Sequence, residues 1–390
     1  MYIVFFTHPS FLGSKSMPKY AQMIADGMKA RNHSVEIWAP KKYFYRLPFP
    51  SFSKKWLGYM DQFIVFPVKV MRKLKKYPSQ TLFVLADQAL GPWMALISKR
   101  PHVIHCHDFL AQRSALGKIP ENKVGVTGKI YQKLIRNGYR KGENFISISK
   151  KTQSDLHRFL KKEPQLSEVV YNGLNQDFKP ASVVQSRQLL GNEFELNLNS
   201  GYILHIGGNQ FYKNRNGVVK IYDAWREITK QKLPLVMIGQ KPSNELVDLK
   251  NNSAFSSEIH LISNVTDDIL QVAYQGASVL LYPSLEEGFG WPIAEAMASG
   301  CPVITTARAP MNEVAKESCY YIPRMPGNNQ DSAKWVKSSA GVLNQLIDLP
   351  EEERQKLIES GLKNAERFDT QKALEHIEGV YNKILKAYQV

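Results

Sequence analysis

The stretch "SLEEGFGWPIAEAMASGCPVITT", Ser284 to Thr306, decides how the chain is read. "SVLLYP" just before it and "PVITT" at its end are short apolar runs with the length and composition of buried strands. Pro292 suits the first turn of a helix, where a missing N–H costs nothing, and Gly300 stands where a left-handed cap would close it. The unit is strand, glycine loop, short helix, strand, with the strands parallel. Gly288 and Gly290 let backbone approach a ligand, and the unpaired amides of the first helical turn point into the crevice where such sheets bind. Glu287 lies in the loop and Glu295 one turn into the helix, so both can face one ligand from different sides. Acidic residues near a helix start also suit its dipole, by about 0.3–1 kcal/mol each. That effect alone leaves the two glycines around Phe289 without a purpose.

Working outward, similar apolar runs recur along the chain, separated by helical patterns. The first half has "YIVFFTH", "SVEIWAP", "TLFVLAD", "HVIHCHD", "FISIS" and "VVYNG"; the second has "YILHIG", "PLVMIG", "EIHLIS", "SVLLYP", "PVITT" and "CYYIP". Strands alternating with helices imply parallel sheets covered on both faces, and twelve strands suit two sheets of six. The predicted fold class is α/β, with two Rossmann-like doubly wound domains. The polar stretch "NQDFKPASVVQSRQLLGNEFELNLNSG" places the boundary near Pro180, giving residues 1–180 and 181–369. "TQKALEHIEGVYNKILKAY" reads as one amphipathic helix within 370–390.

Composition narrows the partners. The 390 residues carry a net charge of +16 with a pI near 9.5, while 43% hydrophobic and 22% charged residues are ordinary for a globular protein. Such a charge favours an anionic partner: a phosphorylated substrate, nucleic acid or an acidic membrane surface. Cys106, Cys301 and Cys319 are too few for a disulfide framework and fit a reducing compartment. "MYIVFF" lacks a charged leader and no apolar run approaches a membrane span, so a cytoplasmic protein is expected, at most attached to a membrane surface.

Three further stretches bear on chemistry. "HIGGNQFYKNRNGVVKIYDAW" ends a strand at Gly207-Gly208, continues through a basic loop with Lys213 and Arg215, and starts a helix near Asn216 or Gly217. Glycines that clear space beside a lysine at a strand's C-terminal edge suit a diphosphate, although a basic turn merely capping the sheet has the same composition. Neither the Walker loop nor the G-x-G-x-x-G fingerprint is present. In "HVIHCHD", His105 and His107 would share one side of a strand and Cys106 the other. With no second cysteine–histidine cluster to complete a site, no metal is expected. His107 and Asp108 would instead stand at the strand's C-terminal end, where an imidazole can hydrogen-bond a sugar hydroxyl and Asp108 can cap a helix. "THPSFLGSKSMPKYAQMIADGM" puts Gly13, Ser14 and Ser16 in a loop before the first helix, with Ser16 as its cap.

Taken together, these motifs resemble glycosyltransferase family 4 (glycosyl transferases group 1), retaining enzymes with the GT-B fold. The resemblance rests on "EEGFGWPIAEAMASGCPVI", "HIGGNQFYKNRNG", "LVMIGQ", "NVTDDILQVAYQGASVLLYPS", "ISISKKTQSDL", "VVYNGLNQDF" and "HPSFLGSKSMPKYAQMIADGMKARNHSVEIWAP". It implies a C-terminal domain that binds a nucleotide-diphosphate sugar, an N-terminal domain that binds the acceptor, a cleft between them and a last helix returning to the first domain. Glu295 would hold the ribose and Lys213 the diphosphate. Glu287, with the amides of Gly288 to Gly290, would contact the donor sugar, and His107 would reach that sugar from the other domain. Gly208, Asn209, Arg215, Phe289 and Trp291 would complete the donor site, and Gly13, Ser14 and Ser16 would border the acceptor. The family needs no metal and no cofactor beyond its donor substrate. Two departures stand out: Asn209 occupies the place of a common arginine, and the first loop lacks paired glycines. The "YKNRNG" variant looks most like bacterial members that assemble surface polysaccharide with mannose-type donors.

Two other readings compete. A nucleotide-sugar epimerase on the same fold would consume the donor without an acceptor. A basic nucleic-acid-binding protein would account for the charge, but no nucleic-acid module is recognisable, so no nucleic acid is expected. Between Lys41 and Lys76 lie ten basic residues against one acidic residue, Asp61, with nine aromatics interleaved. Trp56, Met60, Phe63 and Ile64 follow a helical spacing there. Either that stripe packs on the first sheet, or it lies on anionic lipid and brings the enzyme to a membrane-anchored or lipid-linked glycan.

Overall fold

Buried on both faces, the strands of a parallel sheet become near-continuous apolar runs, and the chain builds two such sheets. The computed structural model describes residues 1–13, 16–174, 177–327 and 329–388. Ser14 therefore lies outside the described residues. The chain divides into two compact units, residues 1–175 with 370–390, and residues 176–369.

In the first unit, β1 (Tyr2–Phe6), β2 (Ser34–Trp38), β3 (Leu82–Leu85), β4 (His102–Cys106), β5 (Asn144–Ser147) and β6 (Leu166–Val169) form one parallel sheet in the order β2-β1-β3-β4-β5-β6. Alternate residues feed opposite cores. Val4, Phe6 and Cys106 pack on one face; Ile3, Phe5 and Val103 pack on the other. The second face is covered by helix α1 (Ser16–Ala30) and by the chain's last helix, whose Leu374, Ile377 and Tyr381 join Tyr20 and Ile24 in one cluster. His105 is clamped there, with Nδ1 2.8 Å from the Tyr20 hydroxyl and Nε2 2.9 Å from the Tyr381 hydroxyl. Helix α2 (Ser51–Met60), a π-helical turn (Asp61–Val65) and α3 (Phe66–Leu74) follow β2. Phe66 and Val70 enter the core, whereas Trp56 and Ile64 are 63% and 57% exposed. Of the stripe itself, Trp56 and Ile64 face solvent while Met60 and Phe63 are half-buried, and the residues that pack on the sheet, Phe66 and Val70, lie further along. Helix α4 (Val126–Tyr139) lies beside it, and Tyr59 stacks on Tyr131 with ring centroids 5.7 Å apart.

The second unit repeats the plan. Its strands β7 (Ile203–Ile206), β8 (Leu235–Gly239), β9 (Ile259–Ser263), β10 (Val279–Tyr282), β11 (Val303–Thr306) and β12 (Tyr320–Ile322) are parallel in the order β12-β11-β10-β7-β8-β9. Helix α5 (Arg215–Ile228) follows β7 and buries Val218, Val219, Ile221, Tyr222 and Trp225. Helix α6 (Trp291–Ala298) follows β10, and α7 (Thr370–Ala387) is the last helix, described above in the first unit.

Three element boundaries differ from the sequence reading. α5 starts at Arg215, a residue ahead of Asn216, because Asn214 in a left-handed conformation already turns the chain (φ 52°). Ser16 is the first residue of α1 rather than its cap. β6 covers Leu166–Val169, not "VVYNG"; it is a half-buried edge strand, and the apolar run falls where the strand leaves the sheet.

Candidate functional site

In the second unit, strand order reverses between β7 and β10: the chain runs outward from β7 to β8 and β9, then returns to place β10 on the other side. The loops leaving the C-terminal ends of two such strands diverge and open a crevice. Lys213 comes from the β7 loop and Glu287 from the β10 loop, 74 residues later, and the reversal brings them together. Lys213 Nζ donates to Glu287 Oε1 at 2.8 Å and to the Tyr282 hydroxyl at 2.6 Å. The Tyr282 and Ser284 hydroxyls also donate to Glu287 Oε1, at 2.6 and 2.9 Å. All three bonds converge on Oε1, and Oε2 takes part in none of them. The two side chains are 15% and 8% exposed, so the pair is shielded and its attraction is stronger than at an open surface.

The β8 loop supplies the next contact. Asn209 donates from Nδ2 to the Lys241 carbonyl at 2.7 Å and accepts from Arg215 Nη1 at 2.7 Å. Arg215 Nη1 also donates to the Gln240 carbonyl at 3.2 Å. The Arg215 residue is only 6% exposed, and its buried Nε and Nη2 have no hydrogen-bond partner among the described residues. Burial lowers its pKa from the ordinary value. Leaving charged N–H groups buried and unbonded costs about 1–3 kcal/mol or more, which a bound anion would offset. Beneath this loop, His205 donates from Nδ1 to the Leu281 carbonyl, and burial pushes its pKa down to about 3, with the Arg215 and Lys213 charges adding to the shift. The ring is neutral, and both cations lie within its electrostatic reach.

Glu295 sits in the first turn and a half of α6. Its Oε2 accepts from the Tyr274 hydroxyl at 2.7 Å. Burial pushes its pKa up to about 7, against the opposing pull of that hydrogen bond and of the Lys213 charge. α6 starts from Gly290, whose φ of +105° lies in the left-handed region that favours glycine, and Pro292 sits in the first turn. The strand–loop–helix–strand unit has parallel strands, and Gly300 follows the helix at φ +77°. The Phe289 ring is 2% exposed and packs edge-on against Phe368 at 5.3 Å and Trp291 at 5.6 Å. What Phe289 offers a ligand is therefore backbone. The other glutamate of the motif, Glu286, is spent on an ion pair with Arg308 at 3.1 Å.

The remaining expected residues lie in the first unit. His107 follows β4 and donates from Nε2 to the Ala86 carbonyl at 2.8 Å, and burial lowers its pKa from the ordinary value. Its ring and that of His105 both meet Tyr20, while Cys106 faces the opposite core. Asp108 Oδ1 accepts the Leu110 N–H at 2.9 Å, a local turn contact at the helix that follows. Gly13 is at φ +79° with open space around it. Among the described residues no group of three or more His, Cys, Asp or Glu side chains is placed to hold a metal ion.

Two residues escaped the sequence reading. In the first sheet the order reverses between β1 and β3, and there His8 Nε2 lies 2.8 Å from Asp87 Oδ2. Burial, the largest single influence on Asp87, raises its pKa. The His8 hydrogen bond, the electrostatic influence of the His8 and His107 rings and the Ala89 N–H together outweigh it and hold the carboxyl below its ordinary value. Each sheet thus carries a hydrogen-bonded polar pair at its reversal point. The available signal was a polar residue just past each of two apolar runs, "FFTH" and "VLAD"; pairing them requires the strand order.

Residues 17–178 match the family model described as Glycosyltransferase Family 4, and residues 201–337 match the one described as Glycosyl transferases group 1. The chain is 32% identical over 120 residues to the O-antigen chain mannosyltransferase B of Escherichia coli, which covers 30% of this chain and 32% of that one. It is 23% identical over 221 residues to the O-antigen chain mannosyltransferase RfbU of Salmonella typhimurium, covering 56% of each. The matches therefore span between a third and little more than half of these relatives' own length. Among solved structures, Anabaena Alr3699/HepE in complex with UDP shares the fold with a TM-score of 0.70 at 16% identity, over 98% of this chain and 100% of that one.

Proposed function

Since the chain belongs to the group 1, family 4 glycosyltransferases and has their GT-B fold, we propose that it moves a sugar from a nucleotide-diphosphate donor to a glycan or lipid-linked acceptor. The observation that carries this reading is the buried Arg215, with two unbonded guanidinium nitrogens, at the start of α5 two residues after Lys213. Two cations set this close together suit a diphosphate. Arg215, anchored by Asn209, supplies the guanidinium that position 209 itself lacks. Glu295 takes the ribose hydroxyls, and Glu287 Oε2 is free to accept from a hydroxyl of the donor sugar.

In the proposed reaction the bond between the anomeric carbon and the diphosphate oxygen breaks, and its electron pair leaves with the nucleoside diphosphate. Lys213 and Arg215 stabilise the charge that develops there, which is the largest contribution fixed groups usually make. The acceptor oxygen bonds to the same face of the anomeric carbon and its proton passes to the departing phosphate oxygen, so configuration is retained without a metal. Both named relatives are mannosyltransferases of O-antigen chains, which favours a mannose donor and a surface-polysaccharide acceptor. The test is a screen of UDP- and GDP-sugars by thermal stabilisation, since a ligand at 100 times its dissociation constant adds about 2.7 kcal/mol. Transfer should then survive exhaustive chelation and give product of unchanged anomeric configuration by NMR. No stabilisation by any nucleotide sugar, or activity abolished by chelation and restored by manganese, overturns the reading.

A further inference from the structure

At the C-terminal edge of the first unit's sheet, where β2 runs out into residues 39–43, a cavity of about 700 Å³ opens between that segment and the helical stretch 61–73. The volume falls within the range of small-molecule sites. Its floor is apolar, made by Phe11, Ile37, Trp38 and Phe66. Its rim is cationic, made by Lys41, Lys42, Lys69 and Lys73. Two of these ammonium groups fold over rings of the wall: Lys69 Nζ is 3.7 Å from the Tyr43 centroid, and Lys73 Nζ is 4.8 Å from that of Trp38.

The positive charge is poorly compensated. Asp61, the one carboxylate in the wall, is 1% exposed and accepts the backbone N–H groups of Tyr43, Phe44 and Tyr45, each at 3.0 Å. It holds the rim segment in place and is spent on doing so. Glu36 faces Lys73 but receives hydrogen bonds from Trp38 and Tyr77. Among the described residues no carboxylate pairs with Lys41, Lys42 or Lys69. The Tyr43 phenol registers the resulting field: its pKa is below the ordinary value, first through the Lys69 hydrogen bond, with the Lys69, Lys41 and Arg46 charges adding. Like charges gathered around an apolar hollow repel one another, and an anion with an apolar neighbour would relieve that repulsion while covering the floor.

We propose that this cavity binds a phosphate- or diphosphate-bearing amphiphile, its apolar part on the Trp38–Phe66 floor and its phosphate among the four lysines. Ser10 and Phe11 of the wall follow His8 in the same loop, so the cavity borders the reversal point of the first sheet. As the seat of an acceptor, the cavity rests on the glycosyltransferase reading above; as a binding site, it stands without it.

The test is titration calorimetry with geranyl diphosphate, inorganic pyrophosphate and geraniol, in saturating UDP so that the Lys213 and Arg215 loop is covered. Geranyl diphosphate should bind, weaken with salt, and lose at least tenfold in affinity in the combined Lys41→Gln, Lys42→Gln, Lys69→Gln, Lys73→Gln protein. A second protein, Arg72→Gln, Lys75→Gln, Lys76→Gln, removes charge just outside the cavity and should bind as wild type does. All these side chains are exposed, and unchanged melting temperatures confirm intact folding. Equal affinity in wild type and the cavity variant, or an equal loss in the outer variant, overturns the site. Pyrophosphate binding as tightly as geranyl diphosphate makes free phosphate the ligand and overturns the amphiphile. UDP binding without geranyl diphosphate binding removes this inference and leaves the proposed reaction standing. The converse result removes the reaction and leaves the cavity.

Discussion

Glu295 keeps its proton further up the pH scale than a carboxyl group ordinarily does. Its pKa rises from 4.5 to about 7, so between those values the folded chain binds more proton than the unfolded one. The stability this confers is complete below about pH 4.5 and is lost as pH rises through 7, up to roughly 3 kcal/mol. Glu295→Gln should flatten that part of the stability profile in denaturant titrations across pH 4–8. If Glu295 takes the ribose hydroxyls as proposed, its ionised form is the stronger acceptor, so nucleotide binding should tighten as pH rises through 7 and release a proton. Calorimetry in buffers of different ionisation enthalpy reads that release directly, and in Glu295→Gln it should vanish with about 1.5–3 kcal/mol of affinity. For Lys213, leaving-group charge grows in the transition state, so Lys213→Ala should lower kcat roughly 100- to 1,000-fold. If only the donor KM rises while kcat holds, the lysine binds and does not catalyse.

Gly290 shows how an element carries a site. Its left-handed backbone turns the chain from the Glu287 loop into α6, and a Cβ there would stand 3.2 Å from Ile293 Cδ1. Gly290→Ala should cost about 1–2 kcal/mol of stability from backbone strain. By turning Glu287 and Glu295 apart, it should weaken nucleotide-sugar binding in calorimetry more than it lowers the melting temperature. This unit was legible in the sequence because each part has a local cause: a glycine for the turn, a proline for the first helical turn, and apolar runs for strands buried on both faces. β6 was misplaced because an edge strand is only half-buried, and its residues "LSEV" carry no apolar signature. The pairing of Lys213 with Glu287, and of His8 with Asp87, was illegible for a different reason. Partners 74 and 79 residues apart meet only once the order of the strands is known. Local pattern predicts strands well and says little about which strands are neighbours.

Across the whole molecule, the net charge of +16 has a local concentration on the first unit. Besides Trp56 and Ile64, that unit exposes Val126, Ile130 and Leu134, three residues at a spacing of four on α4, at 73%, 63% and 48%. Lys129 and Lys133 stand exposed beside them, and the Tyr59–Tyr131 stack joins α4 to the basic segment. Among the described residues no helix is long and apolar enough to cross a membrane. A surface of this kind suits anionic lipid, at about 1 kcal/mol for each nearby cation. Sedimentation with anionic vesicles should carry the protein down at low salt. Arg72→Glu, Lys75→Glu, Lys76→Glu together with Ile130→Ser should leave it in the supernatant; equal recovery of both proteins would make the acceptor one met away from lipid.

The position of α7 has a consequence in time. The first unit opens at residue 1 but gains Leu374, Ile377 and Tyr381, which cover its Ile3 and Phe5 face, only near the other end of the chain. During synthesis at roughly 5–20 residues per second, about 200 residues separate the last strand of that sheet from the helix that covers it, a delay of about 10–40 s. The second unit, whose residues are contiguous, has everything it needs first. So the half that begins emerging earliest is finished last, and through that interval the part of its sheet face that α1 leaves uncovered stays open to chaperones.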